Sequence, residues 1–238
     1  MASIVMATIV SALITALIEG RFEPLSQRES FIITVIACLI VAPLASWYIV
    51  GLLIKVHALE AEMREQATRD GLTGLLTRRH FVESAELELS RTIRYNRRLS
   101  VVMLDLDEFK AINDSMGHAV GDQVLRAVGS RVASCLREVD LAGRMGGEEF
   151  AIVLPETSQG AAAEVAGRIV HAIGDYPIDV DGVPVRVTAS AGIAELPEDA
   201  TGDLSSFDTV LMHADQAMYA AKRAGRNRVH AYVAEDAR

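Results

Sequence analysis

Hydrophobic positions along this chain follow three different periods, and each predicts a different kind of element. At the front they are continuous: Ala2 to Ile18 and Phe31 to Ile54 carry no charged side chain. A helix needs about 20 apolar residues to cross a hydrocarbon core, so the second run is ample and the first is near the short end. The first run lacks the basic start and small-residue cleavage site of a secretion signal. Residues 1–54 are therefore read as a two-helix transmembrane hairpin, joined by the polar stretch from Gly20 to Ser30. Beyond it Val56, Leu59 and Met63 fall on an a/d-like seam among charged residues. That spacing predicts a linker helix over 55–70, able to pair with a copy of itself as a coiled coil; a lone amphipathic linker is the other reading.

From 71 to 238 helical and strand periods alternate. Thr77 is placed to cap a helix running through Phe81, Leu87 and Ile93. Ser100 to Asp107 reads as a buried strand, apolar until carboxylates appear at its end. A helix is expected from His118 to about Arg137, and two strands from Asp140 to Pro155 turning at Gly146-Gly147. Ala161 to Ile173 reads as helix, Val183 to Leu196 as strand, Phe207 to Arg223 as helix and Arg228 to Val233 as a last short strand. This order predicts an α+β domain, a mixed central sheet surrounded by helices in the ferredoxin-like group.

Composition narrows the function classes. A net charge of -9 and an aromatic content of 5% argue against a nucleic acid polymer as partner, because basic excess and stacking platforms are both missing. Cys38 and Cys135 have no partner at metal-ligand or CxxC spacing and read as buried free thiols, which suits a reducing compartment for the soluble part. An anionic protein still binds a nucleotide where it places a few cations and a metal locally.

Candidate chemistry gathers at two turns. Asp105 and Asp107 flank Leu106 at the end of the buried strand and are expected on opposite faces, leaving one of them aimed at a given metal. Glu148 and Glu149 stand at the tip of the glycine hairpin, where backbone approaches a ligand closely. With the hairpin beside the Asp105 strand, these oxygens form one cluster of the hard ligands magnesium prefers. Solvated turn carboxylates are the alternative for either segment alone.

Gly143 to Phe150, GRMGGEEF, resembles the signature of GGDEF-domain diguanylate cyclases in its GGEEF form. DGLTGLLTRRHF from Asp70, DLDEFKAINDSMGHAVGDQVL from Asp105 and AMYAAKRAGRNRV from Ala217 resemble that family's opening, substrate and closing motifs in the same order. The resemblance covers about Asp70 to Val233 and implies that residues 71–238 form a catalytic GGDEF domain. It implies joining of two GTP into cyclic di-GMP and two pyrophosphates, with Mg2+ as cofactor and Mn2+ as a substitute. By motif position Asp105, the carbonyl of Leu106, Glu148 and Glu149 would hold metal, Glu148 also helping to deprotonate the attacking hydroxyl. Asn113 and Asp122 match guanine readers, and guanine's adjacent N–H donors suit a carboxylate acceptor. His118 matches a substrate contact; Lys110, Lys222 and Arg226 match phosphate-binding positions, Phe109 is read as packing in the core with its backbone near the phosphates, and Gly146 and Gly147 match a backbone surface for the nucleotide. Lys222 and Arg226 are four apart and are expected to share a helical face. Gly71 and Thr77 depart from the family's usual proline and asparagine.

Arg137 and Asp140 form an RxxD ahead of the signature, where many family members carry an inhibitory product site. Each family domain holds one GTP, so the resemblance implies a homodimer. A GTP-using domain places both termini in the cytoplasm, with the hairpin in the inner membrane. The rival reading is a catalytically silent cyclic di-GMP receptor using Arg137 and Asp140. A single-substrate cyclase or polymerase-like palm shares the two-acid metal logic but does not explain the guanine-reading motif.

Overall fold

The computed structural model describes residues 43–55, 68–197 and 206–233, together with the single positions Arg28, Ile32, Val35 and Leu39. The chain divides into two compact units, Met1–Gln66 and Ala67–Arg238. In the first unit residues 43–55 are helical, and Leu44, Trp47, Tyr48 and Ile54 are largely exposed. Among the described residues no helix is long and apolar enough to cross a membrane. The expected first span, part of the second and the seam at Val56, Leu59 and Met63 lie outside the described residues.

In the second unit a nine-residue strand, β2 (Leu99–Asp107), is buried along its whole length, as an apolar run flanked on both faces should be. It pairs antiparallel with β4 (Glu149–Pro155) on one side and β7 (Thr188–Glu195) on the other. β3 (Leu141–Gly146) extends the sheet beyond β4 through the expected hairpin. Parallel edges complete it: β1 (Leu76–Thr77) beside β3 and β8 (Val229–Ala231) beside β7, in the order β1-β3-β4-β2-β7-β8. The sheet is mixed, as expected. The segment read as one strand from Val183 is instead split into β6 (Val183–Val185), which pairs with β5 (Ile178–Val180), and β7.

Alternation along β2 sends side chains into two cores. Val102, Leu104 and Leu106 pack with Phe150 and Ile152 under helices α3 (His118–Ser134) and α4 (Gln159–Gly174). Val101 and Met103 pack with Ala151 and Val153 under α1 (Arg78–Tyr95) and α5 (Phe207–Arg223). Thr77 is the N-cap of α1 in extended conformation, but its side chain makes no capping bond. The buried stripe of α1 is Phe81, Ala85, Leu89 and Thr92, while Leu87 and Ile93 face outward. A further helix, α2 (Phe109–Met116), lies between β2 and α3 where the sequence pattern gave no helical signal.

Candidate active site

The carboxyl end of β2 carries the site. Asp105 is 7% exposed and lies in register with Glu149 on β4 and Ser190 on β7. Lys222, in the last turn of α5, reaches down to it with Nζ 2.8 Å from Oδ1. Burial pushes the Asp105 carboxyl above its ordinary pKa; the Lys222 ammonium opposes this, and the charges of Asp107 and Asp215 add to it. Glu149 is raised too, first by burial and then by the charges of Asp105 and Asp215. The buried Asp105 carboxylate is therefore held where its negative charge is poorly solvated, with the exposed Glu149 carboxylate beside it. That arrangement favours a cation.

Among the described residues no group of three or more carboxylate, histidine or cysteine side chains converges to enclose a metal ion alone. The donor set still fits magnesium, which commonly takes one or two protein carboxylates and fills its remaining positions with water and phosphate oxygens. Leu106 is 1% exposed with its side chain in the core, and its N–H donates to the Glu148 carbonyl at 3.3 Å. That bond fastens the signature turn to the strand end. Gly146 and Gly147 take φ of 152° and 53°, values that side-chain-bearing residues rarely adopt, so the turn there depends on glycine.

Asp105 and Asp107 do not diverge as expected. Residues two apart on a strand share a face, and Ser190, opposite Asp105, donates its hydroxyl to Asp107 at 2.7 Å. Asp107 also accepts from the Thr188 hydroxyl at 2.7 Å and the Asn227 N–H at 3.0 Å, which ties it to β7 and to the loop after α5. The expected common helical face for Lys222 and Arg226 is also replaced. α5 ends at Arg223, and Arg226 follows in a left-handed turn at φ 61°, its guanidinium 3.8 Å from Glu108. The two cations thus stand over opposite ends of the β2–α2 junction, Lys222 at Asp105 and Arg226 at Glu108.

Phe109 opens α2 and is buried in the core, while Lys110 beside it is exposed. Asn113 is half-buried one turn later, and His118 and Asp122 are exposed on the first turns of α3. In the separate RxxD turn the Asp140 carboxylate accepts the Arg137 N–H at 2.8 Å, and its other oxygen is buried without a partner among the described residues. The Arg137 side chain is exposed at a cleft of about 490 Å³ shared with Arg91 and Glu88. Arg168 donates to the Cys135 carbonyl at 3.2 Å.

The profile described as "Diguanylate cyclase, GGDEF domain" matches residues 67–228, which includes every one of these side chains. The chain belongs to this family. Diguanylate cyclase DgcP of Pseudomonas aeruginosa is 39% identical over 173 residues, 73% of this chain and 25% of that protein. The probable diguanylate cyclase DgcE of Escherichia coli is 39% identical over 176 residues, 74% of this chain and 16% of that one. The chain thus spans a quarter or less of these two relatives. Among solved structures, the GGDEF domain of DgcB from Caulobacter crescentus, in complex with c-di-GMP, is 33% identical with a TM-score of 0.65, covering 70% of this chain and 94% of that one. An active GGEEF domain of a diguanylate cyclase from Vibrio cholerae is 32% identical with a TM-score of 0.61, covering 67% and 98%.

Two features of this GGDEF domain were not anticipated from sequence. Arg144, two residues before the signature glycines, donates to the Gly147 carbonyl from Nε and Nη2 at 3.0 and 2.7 Å and pairs with Asp70 at 3.3 Å. Burial alone would raise Asp70, but hydrogen bonds from Thr73 and the Arg144 charge outweigh it and hold the carboxyl below its ordinary pKa. The opening motif is thereby connected to the GGEEF turn across 74 residues of sequence. The second feature is Asp107, whose i+2 spacing from Asp105 was the available signal for a shared face.

Proposed function

We propose that this chain is a diguanylate cyclase condensing two GTP into cyclic di-GMP and two pyrophosphates. The observation that carries the reading is Asp105 and Glu149 in register on adjacent strands, both raised in pKa, with Lys222 above them. Asp105, Glu149, Glu148 and the Leu106 carbonyl would hold Mg2+ or Mn2+. When bound, the ion supplies charge neutralisation at the triphosphate as pyrophosphate leaves. Lys222, Arg226 and Lys110 supply the fixed cations for the phosphates, and Phe109 buries the start of α2 so that its backbone faces them. Asp122 and Asn113 hold the guanine, with His118 beside them, and Gly146 and Gly147 let the nucleotide lie against backbone. Glu148 accepts the proton of the attacking 3′-hydroxyl. An active GGEEF domain among the relatives supports glutamate at the variable signature position.

One GTP per domain makes a homodimer the catalytic unit, since pairing converts a bimolecular encounter into an oriented one. The uncharged runs up to Ile54 would anchor it in the inner membrane, with the GGDEF domain in the cytoplasm. Arg137 and Asp140 would bind cyclic di-GMP as feedback inhibitor: the turn is preformed by its own hydrogen bond and leaves the guanidinium exposed. The same observation supports the second reading, a silent cyclic di-GMP receptor.

Chromatography of products after incubating the full chain with GTP and magnesium, beside Glu149→Ala, separates the two. Cyclic di-GMP from the wild type alone supports the cyclase. No product from a folded dimer that still binds added cyclic di-GMP through Arg137 establishes the receptor instead.

A further inference from the structure

Gly121 lies buried in the first turn of α3, directly facing α2. A Cβ built there would stand 2.0 Å from the Asn113 Oδ1, 3.0 Å from its Cγ and 3.2 Å from the Phe109 Cζ. Those separations are far inside van der Waals contact, so the Asn113 carboxamide occupies the volume that any other residue at 121 would fill. Phe109 and Asn113 are one helical turn apart and share the face of α2 that leans on this point. The two helices join at Gly117, whose N–H donates to the Asn113 carbonyl at 2.9 Å and whose carbonyl accepts from the Gly121 N–H at 3.3 Å.

Glycine in the interior of a helix is unfavourable relative to alanine, by about 1 kcal/mol in intrinsic propensity. Gly121 is within α3 and outside the left-handed region, so its backbone does not require glycine. Space does. The neighbour nearest to the missing methyl is the end of a side chain with rotatable bonds, and it can move aside. A methyl at 121 would therefore displace the Asn113 carboxamide rather than unfold the domain.

We infer that Gly121 is a positioning residue for base recognition: its missing side chain sets the Asn113 carboxamide beside Asp122 in the orientation that reads guanine. This rests on the proposed role of Asn113. The consequence is a separation of effects that a purely structural glycine would not produce. Gly121→Ala loses nucleotide affinity while keeping or gaining thermal stability, because the clash is relieved by the reader and the helix gains a better former.

The test measures binding of guanosine 5′-(α,β-methylene)triphosphate, which cannot be cleaved at the reacting bridge, to the full chain, together with the midpoint of thermal unfolding. Losing one hydrogen bond to the base predicts about tenfold weaker binding for Gly121→Ala with an unfolding midpoint no lower than wild type. Asn113→Ala alone should weaken binding comparably. In the Asn113→Ala background the glycine substitution should then change affinity by less than about twofold, since no carboxamide remains to be displaced. Wild-type affinity in Gly121→Ala, beside weakened Asn113→Ala, overturns the inference and leaves the guanine reading intact. A tenfold loss that persists in the double variant also overturns it, by routing the effect through Phe109 or the helix contact. Wild-type affinity in Asn113→Ala removes the guanine reading and the inference together.

Discussion

Gly192, in the middle of β7, gives the sharpest test of how the fold holds the site. A Cβ there would lie 2.0 Å from the Met218 backbone nitrogen, 2.1 Å from the Ala214 carbonyl oxygen and 2.6 Å from the Ala217 carbonyl carbon. All three belong to the backbone of α5, so no side chain can rotate out of the way. Restoring ordinary contact requires the helix to lift from the sheet by about 1.5 Å. Lys222, one turn beyond Met218, then loses its 2.8 Å contact with Asp105. Overpacking of this kind costs about 3 kcal/mol, the upper end of its usual range, because rigid backbone is on both sides. With a urea dependence of about 2 kcal/mol per molar, the unfolding midpoint of Gly192→Ala should fall by about 1.5 M. With Lys222 in its proposed phosphate-binding role, a displacement of that size should lower product formation about a hundredfold under conditions where the variant remains folded. Gly167→Ala in α4, where an added methyl meets nothing within 4 Å, is the control and should be neutral or stabilising by up to about 1 kcal/mol. A midpoint for Gly192→Ala within about 0.3 M of wild type would refute the claim that α5 is seated on bare glycine; the urea slope that converts it is the usual one.

Two further outcomes follow from the carboxylates of β2. Asp107→Ala leaves the Ser190 and Thr188 hydroxyls and the Asn227 N–H without their acceptor, and should cost about 3 kcal/mol in urea unfolding, with Asp107→Asn losing roughly half as much. A loss below about 1 kcal/mol for the alanine variant would show that the loop is held by something else. Asp105 and Glu149 have folded pKa values above their unfolded ones, chiefly through burial, so the folded state binds more protons and stability falls as pH rises from about 4 through the folded values. Asp105→Asn should therefore unfold at a higher temperature than wild type in chelator at neutral pH, the gap closing towards pH 4, while making no product. A lower midpoint for the variant at neutral pH would contradict the sign.

The elements that could be read from sequence are those whose period or length left one solution. Val101 to Leu104 is apolar at successive positions and too short for a buried helix, and Phe207–Arg223 places Phe207, Val210, Ala214 and Met218 on one helical stripe. α2 escaped because its eight residues include Asn113, Asp114 and Ser115 in succession, which are loop-forming by composition, and its helical state depends on Phe109 entering a core built by distant residues. β1 has two residues, too few to show alternation, and exists because a parallel neighbour binds it, whereas β8 falls within the short strand expected from Arg228 to Val233. The site shows the same division. The proposed donors were named from motif spacing, but the contacts that support them could not be. Arg144 and Asp70 meet across 74 positions, and nothing local to either marks the other. The loop that carries Arg226 left the helical register because the chain turns left-handed at Arg226 and Asn227, a turn anchored from outside by Asp107.

These supports bear on how a chain of net charge -9 would bind a polyanion, as the proposed function requires. Asp105, Asp107, Glu149 and Asp215 concentrate negative charge around the end of β2, which by itself repels a triphosphate. Lys222 offsets part of it but is held against Asp105, so one fixed ammonium serves both the carboxylate and any phosphate that arrives. Arg226 is similarly shared with Glu108. Neither cation is in surplus, and a divalent ion entering with the nucleotide would relieve the buried carboxylates and release both side chains to the phosphates. On the proposed function, binding to this arrangement would depend on cation and nucleotide together, and acidity at the site would then work as a selection for the metal-bound nucleotide over the free one, a property that a basic pocket of equal affinity would not have.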